Sequence, residues 1–208
     1  MSQERDHLEP GIPELKDVLE EFNKLMDMDM DVDNEWGEDV PWWYNERASL
    51  SQFAGAIWKR KGWVFEEYST PREAETSGKN SFGRADIKLI INGFSLVAEA
   101  KQIWPSLYSK TVCKQVEKAF DNAMKQVETI PKEKGVKKAA IVFLVPKVPP
   151  ILFKNKEKYE EAITNIILTL KKEKGAVAWC FKKSARGKKP KNKDYRYPGC
   201  AIIIRKFN

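Results

Sequence analysis

The sequence predicts an α/β sandwich, in which a central mixed β-sheet is flanked by helices and preceded by an acidic helical arm. Two observations predict this class. Short β-rich apolar runs alternate with longer segments of helical periodicity, in the order helix, three strands, helix, strand, helix and two strands. Asn92-Gly93 separates two of the β-rich runs, which is a strong signal for a hairpin because both central residues of a type I′ turn need positive φ.

Residues 1–40 are expected to form the acidic arm, and residues 41–208 a single domain. Pro13 suits the first position of a helix that extends to Met26, and the rest of the arm lacks a periodic apolar face. The apolar stripe of this helix must pack on its own domain or on a second subunit. We expect the second subunit, because packing explains an apolar stripe better than competition between the acidic arm and the basic body does. The stripe consists of Leu15, Val18, Leu19, Phe22 and Met26.

The domain begins with a helix over residues 45–61, which Gly62 ends. A polar loop over residues 70–83 is expected between the first two strands. The predicted strands are 63–69, 84–91, 94–101, 138–145, 176–181 and 199–205, and the further predicted helices are 109–130 and 156–174.

The net charge of +7 is unevenly distributed. Residues 1–40 hold 14 acidic and 3 basic residues, a net charge of −11, and the remainder carries +18. A basic body indicates a polyanionic partner, most commonly nucleic acid, although a solvated surface would explain the charge equally well. The polar start MSQERDHLEP lacks the apolar stretch of a signal peptide, and the longest apolar runs are too short to span a bilayer. We therefore expect a cytoplasmic, nucleoid-associated or nuclear protein without a membrane partner.

The hairpin places its charged side chains on one face. If Asn92-Gly93 forms the turn, Asp86 faces Glu99 and Arg84 faces Lys101. Directly opposed carboxylates repel, and a divalent cation between them would remove this repulsion. Oxygen ligands at this spacing suit Mg²⁺ or Mn²⁺. An exposed ladder of alternating charges, which also includes Lys88, fits the same alternation.

The motif itself resembles a known signature. Gly83-Arg84-Ala85-Asp86, a gap of twelve residues and then Glu99-Ala100-Lys101 resemble the Asp…Glu-x-Lys pattern of the PD-(D/E)xK nuclease superfamily. The order of elements between residues 44 and 206 also resembles the restriction-endonuclease-like fold of that superfamily. The resemblance implies a Mg²⁺-dependent endonuclease, for which Mn²⁺ would substitute, acting on DNA rather than RNA. It further implies that Asp86, Glu99 and the Ala100 carbonyl hold the metal, while Lys101 orients and helps to deprotonate the attacking water.

Two alternatives stay open beside this interpretation. The same site could cut RNA, because nothing in the sequence discriminates the sugar. The chain could also be a nucleic-acid-binding or regulatory protein that keeps the nuclease fold but does not cut its ligand. Many members of the superfamily cut both strands as dimers, so a homodimer is expected by analogy.

Glu46 is the candidate for a further metal ligand and catalytic residue, since this superfamily often takes a second acid from its first helix. It extends the inward stripe of Leu50, Phe53 and Ile57 by one turn. The alternative is a first-turn acid that is favoured only by the helix dipole.

Basic residues outside the hairpin are candidates for phosphate contacts. The segment 182–194 has seven basic residues and one acid, with Gly and Pro to keep it open, and a solvated loop is the alternative. Trp42, Trp43 and Tyr44 could stack on bases, but packing is the commoner role of such clusters. The predicted nucleic-acid contacts are Lys79, Arg84, Lys182, Lys183, Arg186, Lys188, Lys189, Lys191 and Lys193.

Overall fold

A computed structural model describes residues 6–29, 40–72, 81–153, 155–181 and 194–207. Within these ranges the chain forms one mixed β-sheet with helices on both faces, as the alternation of segments predicts. No helix in the ranges is long and apolar enough to cross a membrane.

Seven strands form the sheet in this part of the chain. They are β1 (Asp6–Pro10), β2 (Trp63–Arg72), β3 (Ser81–Ile91), β4 (Phe94–Ile103), β5 (Val136–Leu144), β6 (Ala176–Cys180) and β7 (Cys200–Lys206). Their order in the sheet is β1-β6-β7-β5-β4-β3-β2, and only β4 and β5 are parallel neighbours. A parallel pair requires a crossover connection, which a helix between β4 and β5 provides.

The helices cover the two faces of the sheet. They are α1 (Lys16–Asp29), α2 (Glu46–Lys59), α3 (Val112–Glu128), the short α4 (Pro150–Phe153) and α5 (Lys156–Leu170). One core lies between the sheet and the pair α1 and α2, and a second core lies between the sheet and the pair α3 and α5. β5 lies between these cores, and its side chains alternate between them. Ala139, Ile141 and Phe143 face α1 and α2, whereas Ala140, Val142 and Leu144 face α3 and α5.

The acidic N-terminal helix packs into the core of its own chain. The side chains of its predicted apolar stripe are completely buried. The Phe22 ring lies 6.0 Å from that of Phe53 in α2 and 6.3 Å from that of Phe143 in β5. The helix prediction is therefore confirmed, but its stripe is not available to bring a second subunit, because the same chain already covers it.

The hairpin turn forms as predicted. Asn92 and Gly93 have φ values of 50° and 79°, and Ile91 pairs with Phe94. The predicted apolar face of the hairpin packs beneath α1 and α2. This face consists of Ile87, Leu89, Ile91, Leu96, Ala98 and Ala100.

Two segments have more strand than the sequence predicts. β1 pairs with β6 in a region that the sequence suggested was irregular, because its polar composition carries no strand signal. β2 continues to Arg72 and β3 begins at Ser81, so every described residue of the predicted loop 70–83 belongs to a strand. β2 is an edge strand that leaves much of its surface in solvent, and the apolar alternation is correspondingly weak.

If α1 belongs to the core, truncating its central aromatic side chain should destabilise the whole protein. We expect Phe22→Ala to lower the free energy of unfolding by about 3–5 kcal/mol, because a buried ring is replaced by a cavity. Met28→Ala removes a 55% exposed side chain from the same helix and serves as the control, with an effect within about 0.5 kcal/mol. Urea unfolding measures both variants, and equal stabilities would contradict the packing of α1 described above.

Candidate functional site

The predicted site residues lie where β3 separates from β4. The ladder between these strands ends at the pair Ile87–Ala98. One position further along β3, Asp86 Oδ2 accepts a hydrogen bond of 2.7 Å from the Ala100 amide nitrogen. A carboxylate oxygen therefore occupies the acceptor role that a backbone carbonyl would have in a continued ladder.

The alternation of β3 reverses at Asp86. Ala85 and Ile87 would share a face in a regular strand. Instead, Ala85 packs with Val97 beside α3, whereas Ile87 packs beneath α1 and α2. The neighbouring strand β2 is irregular at the same level, because Glu67 has a φ of 52°. These two irregularities allow the Asp86 side chain to reach β4 rather than a helix layer.

Two pairs that an unbroken ladder predicts are consequently wrong. Asp86 does not pair with Glu99, and Arg84 does not pair with Lys101, because the ladder ends before both positions. Arg84 pairs with β2, and its guanidinium lies 3.5 Å from Glu67. Arg84 is largely exposed, so its side chain remains accessible to solvent.

Glu99 is buried, with 4% of its surface exposed, and its charge is compensated by Arg72. The Arg72 guanidinium forms an ion pair with Glu99 Oε1 and also donates to the Gln126 carbonyl at 2.7 Å and to Thr129 Oγ1 at 3.0 Å. Arg72 thereby ties the end of β2 to the C-terminal end of α3 and to the Glu99 carboxylate.

Burial raises the pKa of Glu99 to about 7. The ion pair with Arg72 opposes this increase, and the nearby Asp86 carboxylate adds to it. The two carboxylates therefore interact through space although their residues are not paired in the ladder. At neutral pH, Glu99 lies near the midpoint of its titration.

Glu46 approaches the same part of β4 from α2. Asn45 caps this helix by accepting a hydrogen bond of 3.0 Å from the Ala48 amide, so Glu46 lies in the first turn. Glu46 Oε2 accepts a hydrogen bond of 2.9 Å from the backbone amide of Gln102, and Glu46 Oε1 lies 3.8 Å from Lys101 Nζ. The Glu46 carboxylate thus contacts β4, so an interaction with the helix dipole is not its only role.

Glu46 interacts electrostatically with Lys101 and with Asp86. Burial raises the pKa of Glu46, the Lys101 ammonium opposes this change, and the Asp86 carboxylate reinforces it. Lys101 Nζ also donates to the Ala100 carbonyl at 2.7 Å. The structure therefore brings Asp86, Glu99, Lys101 and Glu46 around one short segment of β4.

Two residues of this region were not predicted from the sequence. Gln102 is buried: it accepts from Ser49 Oγ at 2.6 Å and donates to the Trp42 carbonyl at 3.1 Å. The signal for Gln102 is a polar residue on the apolar face of β4, two positions after Ala100. Arg72 has no comparable signal, because it lies in the predicted loop and reaches Glu99 only through the tertiary fold.

The remaining predicted contacts have different outcomes. The packing interpretation of Trp42 and Trp43 is confirmed, since both are buried. Tyr44 is 59% exposed. The predicted basic residues of the segment 182–193 and Lys79 lie outside the described residues.

The donor set around Ala100 has the chemistry that Mg²⁺ prefers, because it consists of carboxylate and carbonyl oxygens. Among the described residues, no group of three or more His, Cys, Asp or Glu side chains is arranged to hold a metal ion. Protein donors occupy the oxygens instead: Arg72 contacts Glu99 and Lys101 contacts Ala100. A ligand set here would combine Asp86 and Glu99 with a backbone carbonyl and water, which is a common arrangement for Mg²⁺.

Comparisons with protein-family models, with curated proteins and with solved structures found no match to this chain.

The raised pKa of Glu99 makes stability dependent on pH. Below about pH 4.5, Glu99 is protonated in both the folded and the unfolded chain. As the pH rises through about 7, the buried carboxyl group becomes charged, and the stability that its neutral form contributes is lost. In the presence of a chelator at pH 8.5, we expect Glu99→Gln to unfold with a free energy about 2–3 kcal/mol higher than that of the wild type. The difference should disappear near pH 4.5. Glu128→Gln, at an exposed position of α3, is the control, and a difference that does not change with pH would contradict the proposed burial of charge.

Proposed function

We propose that this protein is a metal-dependent endonuclease that hydrolyses phosphodiester bonds in DNA. The observation that carries the proposal is the convergence of Asp86, Glu99, Glu46 and Lys101 on one segment of β4, where the pKa values of Glu99 and Glu46 respond to the neighbouring Asp86 charge. Carboxylates and an ammonium group at one point are costly for a fold, and such clusters are typical of catalytic sites.

The proposal includes a restriction-endonuclease-like fold. A helix before the hairpin, the two motif positions on adjacent strands and a mixed sheet between helix layers agree with the fold that the motif implies. The excess of basic residues after position 40 supports a nucleic-acid substrate.

Each residue has a distinct task in this proposal. Asp86 and Glu99, together with the Ala100 carbonyl, would hold Mg²⁺, for which Mn²⁺ would substitute, and Glu46 would hold a second ion or its water. When bound, the ion neutralises charge in the transition state and lowers the pKa of its water. Lys101 would orient the attacking water and help to deprotonate it. The water oxygen bonds to phosphorus, the bond to the leaving sugar oxygen breaks, and that oxygen takes up a proton.

The first test is loss of cleavage on removal of single side chains. We expect Asp86→Ala, Glu99→Ala and Lys101→Ala each to reduce Mg²⁺-dependent cleavage of supercoiled plasmid roughly a hundred-fold or more, because these groups act as one unit. Asp121→Ala and Lys118→Ala remove the same side-chain types from exposed positions of α3 and should cleave like the wild type. A folded Asp86→Ala protein that retains full activity would overturn the site assignment.

The same preparation identifies the nucleic acid. Linear duplex, single-stranded DNA and RNA are incubated with Mg²⁺ or with a chelator beside the plasmid. Endonucleolytic cleavage of DNA supports the proposal, and cleavage of RNA alone would move the same site to an RNA substrate.

The second candidate is a nucleic-acid-binding protein without turnover. The observation that favours it is that Arg72 neutralises Glu99 and that Lys101 contacts the Ala100 carbonyl, so protein cations already satisfy these oxygens. In that case the cluster would be a structural ion-pair set.

Thermal unfolding separates the two candidates. A metal that binds only the folded state raises the melting temperature by mass action. We expect millimolar Mg²⁺ or Mn²⁺ to raise the wild-type midpoint, Asp86→Asn to remove most of this increase, and Arg72→Gln to enlarge it by leaving Glu99 to the metal. Asp121→Asn is the matched control. An unchanged midpoint in the wild type and in Arg72→Gln would favour the structural role.

A further inference from the structure

An exposed aromatic surface lies at the end of α2 and on the edge strand β2. Trp58 and Trp63 are 52% and 62% exposed, and their ring centroids lie 5.9 Å apart at an interplanar angle of 59°. Phe65 follows two positions after Trp63 on β2 and is 46% exposed. Ile90 of β3 pairs with Trp63 and is 39% exposed. These four residues are called the aromatic edge below.

Large apolar side chains are rarely left together in water without a binding role. Within the described part of the chain these side chains stay exposed, whereas the comparable Trp42 and Trp43 are buried. The aromatic edge also lies outside the cluster of site residues, because Ile90 is four positions from Asp86 along β3, a separation of about 13 Å.

The charge of the surroundings indicates the kind of partner. The turn that joins the two tryptophans reads Trp58-Lys59-Arg60-Lys61-Gly62-Trp63 and contains no acidic residue. Lys59 and Arg60 share the carboxylate of Glu21, at 2.8 and 3.1 Å, so positive charge remains in excess within this turn. Lys61 is exposed between them and the second tryptophan.

We propose that the aromatic edge binds unpaired bases of single-stranded nucleic acid, with Trp58 and Trp63 as stacking surfaces and Lys61 as a contact to the phosphate backbone. Flat rings interleaved with cations suit this ligand, because every base has a face that can stack and every nucleotide carries a negative charge. A second protein chain would be matched less well, since excess positive charge on one surface repels the same surface of another copy. The choice of nucleic acid as the partner rests on the proposed function.

The binding experiment uses the full chain and a labelled oligo(dT), with a chelator present so that no cleavage occurs. We expect Trp58→Ala and Trp63→Ala each to weaken binding about ten-fold, because a stacked base is lost, and Trp58→Phe and Trp63→Phe to retain most of the affinity. Lys61→Gln should reduce the slope of log affinity against log salt by about 0.7, which corresponds to one phosphate contact on a single strand.

Two control variants match these changes. Leu168→Ala removes a 51% exposed apolar side chain from α5, and Lys172→Gln alters an exposed lysine in the turn after that helix, as Lys61 lies in the turn after α2. Both should bind oligo(dT) like the wild type. Thermal midpoints verify folding, and Trp63→Leu, which keeps an apolar side chain without an aromatic face, replaces the alanine variant if that variant unfolds.

Unchanged affinity in the folded Trp58 and Trp63 variants overturns the proposal. It is also overturned if the wild type is a dimer by sedimentation and Trp58→Ala is a monomer, since the aromatic edge is then an interface between copies. If the wild type cleaves plasmid but the Trp58 and Trp63 variants bind oligo(dT) as tightly as the wild type does, this inference is wrong and the proposed function stands. Tryptophan-dependent binding without cleavage of any substrate removes the proposed function and leaves the inference.

Discussion

The hydrogen bond from the Ala100 amide to the Asp86 carboxylate is the interaction on which this region depends. It satisfies an amide of β4 just beyond the end of the β3–β4 ladder, where an unpaired buried donor would be costly. Glu46 does the same for the next amide on that side, at Gln102. Carboxylates from β3 and α2 therefore accept hydrogen bonds from β4 amides beyond the end of the β3–β4 ladder. The need to pair these amides brings acidic groups to one place.

The hairpin could be predicted from the sequence because its determinants are local. Asn92 and Gly93 select the turn, and alternation selects the buried face. The break at Asp86 could not be predicted, since Ala85 and Ile87 are both apolar and look like one face of a regular strand. Glu46 was found because it continues a helical stripe, and its contact with β4 follows from that position. Arg72 was missed because only the tertiary fold brings the end of β2 to Glu99.

The uneven charge of the chain has a partly structural explanation. Glu21 of the acidic helix pairs with Lys59 and Arg60, and the hydrogen bond from Lys59 lowers the pKa of this carboxylate. Some of the acidic charge of the N-terminal segment is thus balanced inside the fold. The helix contributes buried apolar side chains and charge pairs to the same core as α2 and the sheet. Composition alone suggested an acidic helix separate from the basic body, whereas the two pack together.

The position of β1 in the sheet has a consequence for the order in which the protein can be completed. β1 pairs with β6, and His7 lies beside Trp179, although these residues are far apart in the chain. During synthesis β1 cannot pair until the much later residues of β6 have been made. Contacts of such long sequence separation slow folding, because the entropy of closing the loop is lost before the contacts form. The outer edge of the sheet on this side is therefore assembled late.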